Sequence, residues 1–132
     1  MAFLRHQKME KYQHRIKVQQ EHLDDLKHVN NVIYLQWVQD IAAKHWFARA
    51  GKESGVIWVV RKHSIEYFNA AHLNDDLDVQ TWVISMSGLI SKRKVVFYRE
   101  ESLICECVSD WVMLDAQSFK PKRIPEELAA LF

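Results

Sequence analysis

The sequence predicts an α+β fold, an antiparallel sheet of about five strands wrapped around one long central helix. Three observations predict it. Five segments alternate apolar and polar residues with the period of two that a half-buried strand shows. One stretch, from Asn30 or Asn31 to Ala50, contains neither Gly nor Pro and repeats its apolar residues at helical spacing. Only 3 Gly and 2 Pro occur in 132 residues, which suits long regular elements rather than a loop-rich scaffold.

The first strand runs through His14, Ile16, Val18 and Gln20, with Arg15, Lys17 and Gln19 facing the other way. A polar turn, residues 21–28, follows it. Asn30 or Asn31 then opens the helix, because an Asn side chain can accept from a free amide of the first turn. Gly51 stands where a C-cap belongs. Tyr34, Val38, Ile41, Ala42 and His45 form the apolar stripe, and Leu35, Trp46 and Val32 widen it. So broad a stripe predicts a helix that is largely enclosed.

The remaining strands read in series. Residues 56–60 continue into Ile65 and Tyr67, and a turn spans Asn69 to Asp76. Leu77, Val79, Thr81 and Val83 alternate with Asp78, Gln80 and Trp82. A break at Ser87, Gly88 and onward to Ser91 precedes the strand ending at Arg99. The last strand runs from Leu103 to Leu114, and Pro125, at a first helical position, begins a short terminal helix. An antiparallel meander with one apolar face buries that face most economically by curling around the helix. Its edges and uncovered surface predict oligomerisation.

A chain this long makes one domain, residues 1–132, with no internal repeat or linker. Its 18 Lys and Arg against 17 Asp and Glu leave +1, which argues against coating nucleic acid or an anionic membrane. Hydrophobic residues make up 48%, enough for a core and against disorder. Cys105 and Cys107 are too few for a disulfide framework and face one way on a strand, as buried filling. Arg5, His6, Lys8 and Lys11 precede no apolar leader core, and no run reaches the ~18–20 residues of a membrane span. The expected location is the cytoplasm.

Residues 24–34, Asp-Asp-Leu-Lys-His-Val-Asn-Asn-Val-Ile-Tyr, carry the chemistry. They place carboxylates just ahead of a helix N-terminus, whose free N–H groups and positive dipole end stabilise negative charge. A carboxylate beside amides able to hold an oxyanion is a minimal kit for acyl transfer. Taken alone, acids before a helix are ordinarily caps.

The pattern Asp24-x-x-x-His28-Val29-Asn30-Asn31-x-x-Tyr34, followed by Leu35-x-Trp37, resembles the signature of the hotdog-fold thioesterases. The nearest kinds are the 4-hydroxybenzoyl-CoA thioesterase-like proteins and the acyl-ACP thioesterases. The resemblance extends over Glu66-Tyr67, residues 74–79, Thr81-Trp82-Val83 and the end from Asp115 to Leu128. It implies a hotdog fold and hydrolysis of an acyl-CoA or acyl-ACP thioester. Asp24 matches the catalytic carboxylate, acting as nucleophile or activating water. Asn31 matches the position whose backbone N–H polarises the thioester carbonyl, and Tyr34 the helix tyrosine. Asn30 belongs to the same substrate-binding turn. His28 matches a residue proposed as catalytic in the acyl-ACP enzymes. Leu26 stands where those enzymes have Asn, and Lys27 where many relatives have Gly. The resemblance also implies a homodimer or homotetramer with interfacial active sites. It implies no cofactor, coenzyme A entering only as part of the substrate.

The other signals are weaker. Asp25 points away from Asp24 and is read as solvated, and Asp40 as a polar partner on the helix. None of the seven His falls at zinc-ligand spacing, so no metal is expected. Residues 74–78 lack the Gly and distal Glu of a calcium loop. Lys92, Arg93 and Lys94, a compact basic run, are candidates for the phosphates of coenzyme A, a solvated strand opening being the ordinary alternative. Two other functions fit the fold: a non-catalytic acyl-CoA-binding module, and a hydratase or dehydratase. The four-residue gap from Asp24 to His28 disfavours the second.

Overall fold

The computed structural model describes residues 10–51 and 55–132. The basic residues Arg5, His6 and Lys8 lie outside them. The elements are β1 (Tyr12–Lys17), a 3₁₀ turn (Gln20–His22), α1 (Asn31–Ala50), β2 (Val56–Tyr67), β3 (Asp76–Ser87), β4 (Ile90–Arg99), β5 (Ser102–Asp115) and α2 (Glu126–Ala129). The strands form one antiparallel sheet in the order β1-β3-β4-β5-β2. The α+β class is the expected one, but the four later strands do not form the expected meander: β2 crosses to the far edge and pairs with β5, leaving only β3-β4-β5 as consecutive neighbours.

Three irregularities bend the sheet, between Val60 and Lys62, between Val83 and Ser85, and between Phe97 and Tyr98. An extra residue in one strand of a pair kinks it and increases its twist, so the sheet curves around α1. Tyr34, Val38 and Ile41 of the helix share one buried cluster with Leu77, Val79, Val95, Phe97 and Cys105 of the strands. The rings of Tyr34 and Phe97 meet edge-on at 5.4 Å, and Trp37 joins them at 5.6 Å from Tyr34. Edge-to-face aromatic pairs add about 0.5–1.5 kcal/mol beyond their burial.

The helix begins and ends as its caps dictate. Asn30 accepts the Val32 N–H through its side chain at 3.0 Å, and Gly51 closes the C-terminus at φ +78°. Four smaller details also depart from the sequence-based expectation. β1 stops at Lys17 rather than Gln20, because Gln19 N–H donates to His22 Nδ1 at 2.8 Å and turns the chain into the 3₁₀ segment. Val32 is 68% exposed, and Trp37 takes its place in the stripe, three residues beyond Tyr34 and four before Ile41. Pro125 caps α2 instead of being its first residue. The helix is not enclosed: one sheet covers one side, and Gln36, Gln39, Ala43 and Phe47 lie exposed along the other. Among the described residues no helix is long and apolar enough to cross a membrane.

Candidate active site

The loop between the 3₁₀ turn and α1 is closed by its own main chain. Leu23 bridges Val29, and Asp24 N–H donates to the His28 carbonyl at 2.8 Å. Lys27 N–H donates to the Asp24 carbonyl at 3.0 Å, a turn that requires Lys27 at φ +65°. Only glycine enters that left-handed region without strain, so the Lys found here carries a conformation suited to Gly. Val29 N–H donates to Ala71 and Asn30 N–H to His22, which pins the loop to its neighbours.

Within this loop Asp24 is half-buried, while Asp25, Leu26 and Lys27 are exposed. Asp24 Oδ1 accepts two backbone donors, from Leu26 at 2.9 Å and from His28 at 3.1 Å. Among the described residues Oδ2 has no donor. One oxygen therefore fixes the carboxylate and the other stays available.

Asn30 and Asn31 lie directly downstream. Asn30 occupies the Val32 amide with its side chain and the Ile33 amide with its carbonyl. The Asn31 N–H has no acceptor among the described residues, leaving it as the free donor of the first turn. Tyr67, from the end of β2, donates its hydroxyl to the Asn31 carbonyl at 3.2 Å. Tyr34 lies beneath, with its ring 5.6 Å from that of Tyr67. Burial, then the neighbouring Cys105 and Tyr67, push the Tyr34 phenol up, and burial does the same to Tyr67. Both hydroxyls remain protonated donors at neutral pH.

His28 joins this group through its backbone. Its ring meets His72 edge-on at 5.2 Å. His72 belongs to a turn organised by Asp75, which accepts from His72 N–H and from Arg99, each at 2.8 Å. Burial alone would raise the Asp75 carboxyl, but these bonds and the Arg99 charge hold it below its ordinary range. Asp75, Arg99 and Tyr67 support the candidate site through contacts distant in the chain, Arg99 of β4 reaching the turn at Asp75 and Tyr67 of β2 reaching Asn31 at the head of α1.

The basic run does not assemble with it. Strand alternation sends Lys92 and Lys94 to one face, where they pair with Asp110 at 2.9 Å and Glu106 at 3.3 Å. Arg93 faces the helix and is 5% exposed. The three residues thus form no common patch for phosphates. Asp40 is exposed and accepts from Gln36 at 3.0 Å. Cys105 and Cys107 are buried and unbonded to each other.

Residues 9–132 match the family model described as the acyl-ACP thioesterase N-terminal domain. The chain belongs to that family. The acyl-CoA thioester hydrolase YbgC of Escherichia coli is 33% identical over 90 residues, which cover 67% of this chain and 66% of that relative. Solved structures share the fold. The protein SAV2348 of Staphylococcus aureus, described in complex with CoA, has TM-score 0.84 at 12% identity, covering 93% of this chain and 82% of that one. An acyl-ACP thioesterase of Bacteroides thetaiotaomicron has TM-score 0.78 at 19% identity, covering 88% of this chain and 50% of that one. The family fold is the hotdog, with α1 as its filling and the curved sheet around it.

Proposed function

We propose that this chain hydrolyses an acyl-CoA or acyl-ACP thioester to the free acid and the thiol. The observation that carries the reading is the Asp24 carboxylate, tied through Oδ1 by two amides and free at Oδ2, at the head of an Asn-capped helix. Membership of the thioesterase family supports it, as does the similarity to a protein named for acyl-CoA thioester hydrolysis. The similarity to a fold described in complex with CoA is in keeping with that substrate.

In this mechanism the acyl carbonyl oxygen accepts from the Asn31 N–H, and the helix dipole favours the negative charge that develops there. Asp24 Oδ2 either attacks the carbonyl carbon or removes a proton from the attacking water. The carbon–sulfur bond then breaks, and the thiolate leaves with its electron pair. If Asp24 attacks, water hydrolyses the resulting anhydride and restores the carboxylate. One oxyanion donor is worth about 10²–10³ in rate, and a positioned base about 10²–10⁴. His28 contributes its main-chain N–H to holding Asp24, Tyr67 holds the first turn through Asn31, and Asn30 and Tyr34 shape the turn that receives the acyl group.

The functional unit in this reading is a homodimer or homotetramer. Among the described residues β2, a 12-residue strand, is paired along one side only, and Val59 and Tyr67 on it are exposed. Sedimentation at assay concentration tests this, and an active monomer contradicts it.

Steady-state thiol release from a panel of acyl- and aryl-CoAs tests the activity. A thiol-reactive dye reads coenzyme A cleanly, because both cysteines are fully buried and burial, then Cys107 and Glu106, push the Cys105 thiol up to about 12. Multiple turnovers on at least one thioester are expected. Saturable binding without turnover would replace the hydrolase with an acyl-CoA-binding module.

A further inference from the structure

Far from the Asp24 loop, the second half of α1 and the start of β2 flank a half-open cavity of about 430 Å³, reached along the exposed side of the helix at Gln39, Ala43 and Phe47 and within the ~300–1,000 Å³ of small-molecule sites. Its walls include Ala42, Trp46, Trp58, Met86 and Trp111, and Arg93 reaches it from β4. His45, which touches Arg93, lies about 21 Å along the helix from Asn31, at ~1.5 Å per residue.

The hydrogen bonding around Arg93 is incomplete in a particular way. Its Nη1 meets His45 Nδ1 at 2.9 Å and donates to Thr81 Oγ1 at 3.1 Å. His45 is 1% exposed, and burial, then the Arg93 charge, push it down to about 4. It is therefore a neutral ring accepting through Nδ1, and Thr81 is neutral too. Among the described residues no carboxylate pairs with Arg93, and its Nε and Nη2 have no acceptor. Glu10 approaches only the far side of the ring, 3.9 Å from His45 Nε2, and pairs with Arg49. Burial lowers the Arg93 guanidinium to about 10, which leaves it charged at neutral pH.

An unpaired buried cation is costly, and natural structures seldom keep one without a counter-charge. Two further donors sharpen the imbalance. The indole N–H groups of Trp58 and Trp111, both wall residues, are buried and have no partner among the described residues. Donors are in excess, one is charged, and the remaining walls are mostly apolar. The complement is an apolar molecule with an anionic acceptor at one end.

We infer that this cavity is a carboxylate subsite, taking a small acid whose apolar body lies against the tryptophans and whose carboxylate accepts from Arg93. Two molecules carry that chemistry. One is a free carboxylic acid, the chemical class that thioester hydrolysis releases. The other is an acyl thioester bearing a second carboxylate at its far end, and that source alone rests on the hydrolase reading.

The test uses octanoate and its neutral isostere octanamide, with binding read by calorimetry and by the indole N–H signals in ¹⁵N NMR. Octanoate should bind at least ten-fold more tightly than octanamide and shift the Trp58 and Trp111 signals, assigned through Trp58→Phe and Trp111→Phe. Arg93→Met should bring the two affinities together. Equal affinities in the native protein, or octanoate binding that leaves both indole signals in place, overturns the subsite. Both readings use the native chain, so they stand even if Arg93→Met fails to fold. Octanoate held as product at the helix head would spare those signals and be indifferent to Arg93→Met, which also counts against the subsite. The source is decided by turnover. A ten-fold preference in kcat/KM for octanedioyl-CoA over octanoyl-CoA, lost in Arg93→Met, assigns the carboxylate to the substrate. Octanoate binding with no such preference assigns it to the free acid.

Discussion

Asp24 and His28 are joined twice, both times through the main chain of His28. The Asp24 N–H donates to the His28 carbonyl at 2.8 Å, and the His28 N–H returns to Asp24 Oδ1 at 3.1 Å. The imidazole takes no part and packs against His72 instead. Any residue at position 28 that keeps this backbone can therefore aim the carboxylate. His28→Ala should retain turnover to within about ten-fold, whereas loss of a true general base removes about 10²–10⁴. Steady-state kcat for the variant decides between them, and a hundred-fold fall would return the ring to the reaction.

Lys27 supplies a prediction on stability. Its φ of +65° costs a side-chain-bearing residue roughly 1–2 kcal/mol. Glycine removes that strain but adds entropy to the unfolded chain, offsetting roughly 0.5–1 kcal/mol. Lys27→Gly should stabilise the protein by about 0.5–1 kcal/mol in urea unfolding. A loss of stability would mean that the Lys side chain contributes more than its backbone strain.

The pair of His45 and Arg93 sets a pH dependence. Burial and the adjacent guanidinium hold folded His45 near 4, below its ordinary 6.5. Between those values the unfolded chain binds the extra proton, so stability rises with pH across that window. It is fully present above about pH 6.5 and drains away as pH falls towards 4. Burial also pushes His63 down, which adds to the same slope. His45→Gln keeps an acceptor for Arg93 but cannot titrate. Its urea midpoint should fall distinctly less than the native midpoint between pH 7 and pH 4.5, and parallel curves would exclude His45 as the cause.

Much of this fold is legible in local sequence. The limits of α1 follow from Asn30 and Gly51, each acting on its own turn of backbone. β3 reads directly, since Leu77, Val79, Thr81 and Val83 alternate inward without interruption. The loop holding Asp24, Asn30 and Asn31 is also contiguous, so its residues stay together in the structure. What escapes is long-range. The exposed flank of α1 depends on how far one sheet reaches, which periodicity does not encode. Lys92, Arg93 and Lys94 look like one patch in sequence, yet pleating divides them between two faces. The contacts of Arg93 with His45 and Thr81 join β4 to α1 and β3 across an irregular sheet, and no local pattern announces them.

The most direct measurement compares Asp24→Asn with the native protein in steady-state thiol release and in urea unfolding. Asparagine retains Oδ1, so the N–H groups of Leu26 and His28 keep their acceptor and the loop keeps its shape. It replaces the free Oδ2 with an amide that neither attacks nor takes a proton. In Asp24→Asn kcat should fall by at least about 10², the minimum expected for a positioned base, with the unfolding midpoint nearly unchanged. Undiminished turnover by a folded Asp24→Asn protein would remove Asp24 from the reaction.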